Sequence, residues 1–194
     1  MLLRKKRRYP GNLYKFFISR LLEFALMKAS PVSLLLVLFG LTIASPGQQP
    51  PSKPNLSGTW VFNAQKSALK WPPPTSMTLQ IDQNDPQVRL TRTQVYGDKS
   101  YDWKLDILAD GQKEVVQNSS LYTANIRMYW EGNSLVLDQK ITASDGTKAT
   151  DLVTYSLSGD GSTLQAIERQ ATAGSKPITS KWVYEKQPQQ PQAQ

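Results

Sequence analysis

The side chains that could do chemistry in this sequence are carboxylates, tyrosines, lysines and an arginine on an otherwise apolar strand face. The 194 residues include no His and no Cys. Their absence excludes imidazole bases, Ser-His-Asp and Cys-His nucleophile pairs, and the usual ligand sets of zinc, haem and iron–sulfur clusters. It also excludes disulfides, so the fold must be held together by its own core.

Two pairs of carboxylates have a spacing that suggests general acid and base catalysis. Asp102 and Asp106 lie on one face at strand spacing, and Asp82 is close to Asp85. The first pair alternates with an apolar face and flanks Lys104, which is typical of a solvated outer face, and the second pair is interpreted in the same way. No acidic cluster has the spacing of a calcium loop. We therefore predict no catalytic residues, no metal site and no cofactor, and we expect that the protein is not an enzyme.

Arg92 is the most informative candidate for a binding residue. Its strand face begins with Val88 and Leu90 and continues through Arg92 and Gln94 to Tyr96. If this register holds in a barrel, the guanidinium projects into the interior, where it could bind a ligand carboxylate or phosphate in apolar surroundings. A bulge or an early strand end would instead return Arg92 to solvent.

Aromatic and methionine side chains give two further candidates. Tyr101, Trp103, Met128 and Trp130 lie on predicted strands, where they could form the walls of a ligand cavity or be ordinary core residues. Trp71 precedes a run of prolines in the first long connection. It could close the mouth of a barrel as a lid, bind a partner, or pack on the rim.

The elements that must position these residues have a period of two. Apolar and polar residues alternate, as around Met77, Leu79 and Ile81, and pairs such as Asp110-Gly111 mark tight turns between the runs. The pattern predicts strands near residues 57–63, 76–83, 87–96, 100–108, 113–118, 122–131, 134–143, 148–157, 163–170 and 178–186. Short links and the lack of a crossover helix predict an all-β, antiparallel up-and-down meander of eight to ten strands that closes into a barrel. A two-sheet β-sandwich is the alternative.

The positive charge of the chain is concentrated near its start. Residues 1–28 carry +7 of the formal net charge of +8, so the remainder gives no support to nucleic-acid binding. Residues 32–44 form an uncharged apolar run that is too short to span a bilayer but fits a signal peptide. We expect cleavage near Ala44 and export to the periplasm or the extracellular space, and we suspect that translation starts at Met27. The alternative is a leader that stays attached as a basic amphipathic membrane anchor.

Composition also sets the domain boundaries. Residues 1–44 are the basic leader and signal peptide, 45–54 a disordered Pro/Gln linker, 55–186 one β-barrel domain, and 187–194 a disordered Gln/Pro tail. A domain of this size can bury about two thirds of its unfolded surface without disulfides. We expect a monomer that touches a membrane only through its leader.

The opening of the first strand, Leu56-Ser57-Gly58-Thr59-Trp60, resembles the Gly-x-Trp signature of the lipocalins and the wider calycin group. With Asn63, Lys66 and Ser67 following it, the segment is most similar to the small secreted lipocalin-like proteins of bacteria. The Thr-Asp-Tyr signature of typical lipocalins and their usual disulfide are missing. The resemblance implies a lipocalin-like barrel, and it implies a fold more than a function.

The resemblance also implies roles for residues at one end of the barrel. Gly58 would let the chain turn into the barrel floor, and Trp60 would plug that end beneath a basic side chain from the last strand. Lys181 is the candidate for this cation, with Arg169 behind it.

The leading functional hypothesis is an exported, non-enzymatic binding protein that holds a small hydrophobic or amphipathic ligand in the barrel cavity. The alternative is a surface-acting β interaction module of the cell envelope or extracellular matrix with a filled core. A cavity lined by Trp103, Met128 and Trp130 would favour the first hypothesis, and a core closed by those side chains would favour the second.

Overall fold

The computed structural model describes residues 53–188, and the regular structure in that range consists of ten β-strands. They are β1 (Gly58–Phe62), β2 (Ser76–Asn84), β3 (Gln87–Tyr96), β4 (Lys99–Leu108), β5 (Val115–Asn118), β6 (Tyr122–Glu131), β7 (Ser134–Ala143), β8 (Lys148–Leu157), β9 (Thr163–Thr172) and β10 (Ile178–Lys186). The bounds agree with the predicted strands to within two residues at each end. The predicted leader, signal peptide and cleavage site lie outside the described residues, as do most of the predicted linker and tail.

The strands form one antiparallel sheet that curls into a nearly closed barrel. Their order is β4-β3-β2-β1-β10-β9-β8-β7-β6-β5, so the first strand pairs with the last. In that pairing Trp60 lies opposite Lys186 and Phe62 lies opposite Tyr184. The predicted antiparallel meander and barrel are confirmed, and the β-sandwich alternative is wrong. The two edges of the sheet, β4 and β5, border a seam.

Side chains hold the seam between β4 and β5 together. Gln117 on β5 accepts a hydrogen bond from the Trp103 indole at 2.9 Å and donates one to the carbonyl of Lys104 at 2.8 Å. Between residues 53 and 188 no backbone ladder joins these two strands. One amide side chain thus spans the seam next to a predicted site residue.

Alternate residues on each strand face the interior and form the core. Ile81, Leu90 and Leu105, for example, lie side by side on β2, β3 and β4 and are all buried. We call the barrel end that holds Trp60 the floor, and the opposite end, where the even-numbered strands begin, the upper end. Removing this apolar surface from water contributes most of the stability of such a domain.

Trp60 plugs the floor as the family resemblance implies. Its side chain is 0 % exposed, and its indole nitrogen donates a hydrogen bond to the Leu56 carbonyl at 2.9 Å. The cation above it is Lys186, whose Nζ lies 5.2 Å from the centroid of the Trp60 ring. That distance is typical of a cation–π contact.

The prediction that Lys181 covers Trp60 is therefore wrong. Side chains alternate along β10, so Trp182, Tyr184 and Lys186 share the inner face while Lys181 lies on the outer one. The backbone of Lys181 exchanges hydrogen bonds with Ala68 in the connection that follows β1.

Gly58 is required at the start of β1. Its φ is +140°, and a Cβ built there would lie 2.9 Å from Cε of Lys186. We expect Gly58→Ala to lower the free energy of unfolding by about 1–3 kcal/mol, because the backbone would be strained and Lys186 would be displaced from Trp60. Urea unfolding would measure the loss. Gly159→Ala is the matched control, since a Cβ at Gly159 meets nothing within 4 Å; an equal loss in both variants would contradict the prediction.

The motif residues after β1 anchor the connection to β10. The Ser67 hydroxyl donates to the Asn63 carbonyl at 2.7 Å and accepts the backbone N–H of Val183 at 2.9 Å. Lys66 donates its backbone N–H to the Asn63 side chain at 3.0 Å, and its Nζ forms an ion pair with Glu185 at 2.8 Å. These hydrogen bonds give the motif a structural role.

Candidate functional site

Arg92 faces the barrel interior. Pairing of β3 with β2 and β4 continues in register from Gln87 to Tyr96 and places Arg92 between Leu79 and Trp103. The guanidinium carbon lies 5.1 Å from the centroid of the Trp103 ring, within the range of a cation–π contact. The structure thus brings two of the predicted cavity residues together in the upper half of the barrel.

Two carboxylates share this part of the interior with Arg92. Asp151 on β8 faces the interior like Val153 and Tyr155. On β9, Glu168 lies two residues after the buried Ala166 and faces the interior as well. Glu168 is only 8 % exposed. We call Arg92, Asp151 and Glu168 the inner ionic cluster.

Neutral side chains hold the two carboxylates in place. Glu168 accepts hydrogen bonds from the Trp182 indole at 2.8 Å and from the Gln170 amide at 3.0 Å. Oδ2 of Asp151 accepts one from the Gln139 amide at 3.2 Å. Oδ1 of Asp151 is buried and accepts no hydrogen bond of ordinary geometry from residues 53–188, although the Gln170 amide is near enough to favour the charged carboxylate.

A small cavity borders the cluster. Its volume is about 10 Å³, enough for one water molecule. It is lined by Met77, Arg92, Val153, Tyr155, Ala166, Glu168, Trp182 and Tyr184. Aromatic and charged side chains therefore converge on the same space.

Burial changes the protonation of the cluster. It raises the pKa of the Asp151 carboxyl to about 8, helped by the negative charge of Glu168 and opposed by the positive charge of Arg92. It also raises the pKa of Glu168, against the Trp182 hydrogen bond and Arg92. One guanidinium thus faces two carboxyl groups that together hold a proton near neutral pH.

This protonation makes stability depend on pH. A carboxyl whose pKa is higher in the folded state than its unfolded value of about 4 binds more protons when folded, so it stabilises at low pH and that stability is lost as the pH rises toward the folded pKa. We expect the free energy of unfolding to fall between about pH 5 and pH 8, by up to about 1.4 kcal/mol per pH unit for one proton. Urea unfolding across this range would measure the slope.

Two asparagine variants identify the source of the slope. Asp151→Asn should flatten it, because the titrating group is removed with little change in shape. Asp160→Asn is the control: this exposed carboxyl has its pKa lowered to about 2 by hydrogen bonds from Ser158 and Ser162, so its contribution is already complete above about pH 5. A flat wild-type profile, or a slope that Asp151→Asn leaves unchanged, would contradict the assignment.

The other predicted site residues lie apart from the cluster. Met128 is 0 % exposed within the core, and Trp130 lies toward the floor, where its indole donates to Asp85 at 3.3 Å. Tyr101 lies nearer the upper rim, is 41 % exposed, and contacts Tyr96 with ring centroids 6.3 Å apart. The predicted aromatic wall is thus divided between the two ends of the barrel.

Trp71 is half-buried in the connection between β1 and β2, at the upper end. Pro72 and Pro73 after it are exposed, and Pro74 is buried. This location is compatible with a lid and with packing on the rim, so the lid role stays a prediction.

Sequence reasoning missed Asp151, Glu168 and Lys186. The alternation pattern contained the signal in each case. Each residue lies two positions from an inward-facing apolar or aromatic residue of its own strand, namely Val153, Ala166 and Tyr184. It is the same signal that identified Arg92.

Residues 53–188 hold no group of three or more acidic side chains placed to bind a metal ion. Within the same range, no helix is long and apolar enough to cross a membrane.

The chain is similar in fold to several solved structures, two of which are secretory proteins of one organism. One is a secretory abundant heat soluble (SAHS) protein from Ramazzottius varieornatus, with 13 % sequence identity and a TM-score of 0.47, covering 72 % of this chain and 100 % of that one. The other is secretory abundant heat soluble protein 4 from the same organism, with 13 % identity and a TM-score of 0.42, covering 74 % of this chain and 100 % of that one. No family model and no curated protein matches the chain. The barrel assignment rests on the strand pairing of the chain itself.

Proposed function

We propose that the protein is an exported, non-enzymatic binding protein that holds a small hydrophobic or amphipathic molecule in the upper half of its barrel. The observation that carries this proposal is the inner ionic cluster at a cavity bordered by aromatic rings. Charged groups are costly to bury, and apolar residues of similar volume usually stabilise a core at least as well. A few polar groups converging in an otherwise apolar interior are typical of a ligand site.

The position of the cavity supports the upper half as the site. The cavity lies beside Arg92 and Glu168, each in the upper half of its strand, and Met77 near the start of β2 lines it as well. A ligand larger than one water molecule must displace side chains, and Tyr101 at the upper rim is 41 % exposed. Export is proposed from the apolar run at residues 32–44.

The second candidate, a filled barrel that acts through its surface, is favoured by the size of the cavity. A volume of about 10 Å³ is far below that of sites for drug-sized molecules. In this case the ionic cluster would serve the structure alone.

Native mass spectrometry of the exported product, purified without detergent, separates the two candidates. A bound mass that denaturing conditions release would support the binding protein. Trp103→Ala should weaken that adduct, while the matched control Trp130→Ala, near the floor, should keep it. A bare chain mass, with no uptake from a panel of fatty acids and flat aromatic compounds, would overturn the binding proposal in favour of the surface module.

A further inference from the structure

We propose that the inner ionic cluster selects a cationic ligand: a primary ammonium group takes the cavity beside Glu168, and the apolar part of the molecule packs on the aromatic rings that line the cavity. The inference rests on the proposed function and specifies its ligand class. It replaces the expectation that Arg92 binds a ligand carboxylate or phosphate.

The charge count carries the first step. On the inner face, Arg92 is accompanied by Asp151 and Glu168, so the cluster has a net charge of −1 when both carboxyls are ionised. The inward lysines nearest the barrel ends, Lys99 and Lys186, are exposed and screened by solvent. Near neutral pH the two carboxyls share a proton and the cluster is neutral. An ammonium group can take the place of that proton, whereas an anionic ligand would add negative charge that no further cation of the cluster compensates.

Hydrogen-bonding capacity carries the second step. Glu168 accepts hydrogen bonds from Trp182 and Gln170, and an ionised carboxylate can accept about four. Glu168 lies on the cavity wall and is itself more than nine-tenths buried. An ammonium group has three donors and no acceptor, which matches a site that offers acceptor oxygens.

Size and surroundings carry the third step. A cavity of about 10 Å³ holds one water molecule, and an unsubstituted ammonium head is of similar size. Trp182, Tyr155 and Tyr184 line the same cavity, and aromatic faces attract cations. A trimethylated head or a phosphate would need a larger space.

The inference predicts a proton released on binding. The ionisable groups that face the carboxyl pair are Arg92 and Tyr96 on β3, Tyr155 on β8 and Tyr184 on β10. Arginine stays charged, and burial raises the pKa of each tyrosine, so only the carboxyls titrate between pH 5 and pH 8. A cation stabilises their ionised forms, and its affinity should therefore rise with pH over this range.

Decylamine, decanoate and decanol test the inference on the exported full chain, because they share a tail and differ in charge. Isothermal titration below their aggregation limits should give an affinity for decylamine at least about ten-fold above that for decanoate at pH 8, and should show proton release in buffers of different ionisation enthalpy. Glu168→Gln should abolish the preference. Glu185→Gln, at an exposed glutamate paired with Lys66, is the matched control and should keep it.

The outcomes separate the two proposals. Tighter binding of decanoate, or equal binding of the three compounds, would overturn the cationic class and leave the binding function standing. Lack of binding by all three, decanol included, would overturn the binding function for amphipathic molecules and the inference with it. A preference for decylamine that survives Glu168→Gln would overturn the assigned site.

Discussion

Arg92→Met should lower the free energy of unfolding by roughly 2–4 kcal/mol at pH 8 and by about half as much at pH 5. Removing a cation that faces two buried carboxyl groups leaves their negative charge uncompensated, and the partial exposure of Arg92 places the loss toward the lower end of the range for such changes. Without the guanidinium the pKa values of Asp151 and Glu168 rise further. Ionising them then costs more as the pH increases, so the loss must grow with pH. Urea unfolding at both pH values measures it.

Arg89→Met is the matched control for this prediction. Arg89 lies on the same strand but on the outer face, where it forms exposed ion pairs with Asp82 at 3.5 Å and with Asp106 at 3.1 Å. Exposed pairs of this kind contribute little. Equal losses for the two variants, or a loss for Arg92→Met that is the same at both pH values, would show that the cluster is not held by electrostatics. Adding Glu168→Gln to Arg92→Met should recover part of the stability.

The strands could be predicted because their signals are local. Alternation fixes which residues face inward, and turn residues fix where strands end: Gly97, Gly132 and Gly161 all have positive φ between consecutive strands. The floor could be predicted in part, since Gly58 and Trp60 occur within one short motif. The resemblance asks only for a basic residue on the last strand and so allows Lys181, whereas the alternation of side chains along β10 selects Lys186 as the cation over Trp60.

The ionic cluster could not be assembled from the sequence, although each member could be assigned to the inner face. Arg92 is far from Asp151 and Glu168 in the chain. The distance between these side chains in the fold depends on how the sheet curls from β3 round to β8 and β9. Curvature and stagger are properties of the whole sheet. The filling of the interior could not be predicted either, because the cavity volume is a small difference between the volume that the barrel encloses and the volume of the side chains inside it.

The largest loss of stability is expected for Trp60→Ala, at about 3–5 kcal/mol in urea unfolding. This side chain is fully buried, fills the floor, and donates the hydrogen bond that the Leu56 carbonyl accepts there. Trp60→Phe should cost less, about 1–2 kcal/mol, because it keeps most of the apolar volume and loses mainly that hydrogen bond.

Two lysine variants then test which cation covers the ring. Lys186→Met should lower stability in the wild-type background and have a smaller effect in Trp60→Ala, because its partner is gone. Lys181→Met should show no such dependence on Trp60, since its side chain lies on the outer face. Equal losses for Lys186→Met in both backgrounds would mean that the contact with Trp60 contributes nothing. A loss for Trp60→Ala of under about 1 kcal/mol would mean that the floor is held by the connections around it rather than by this side chain.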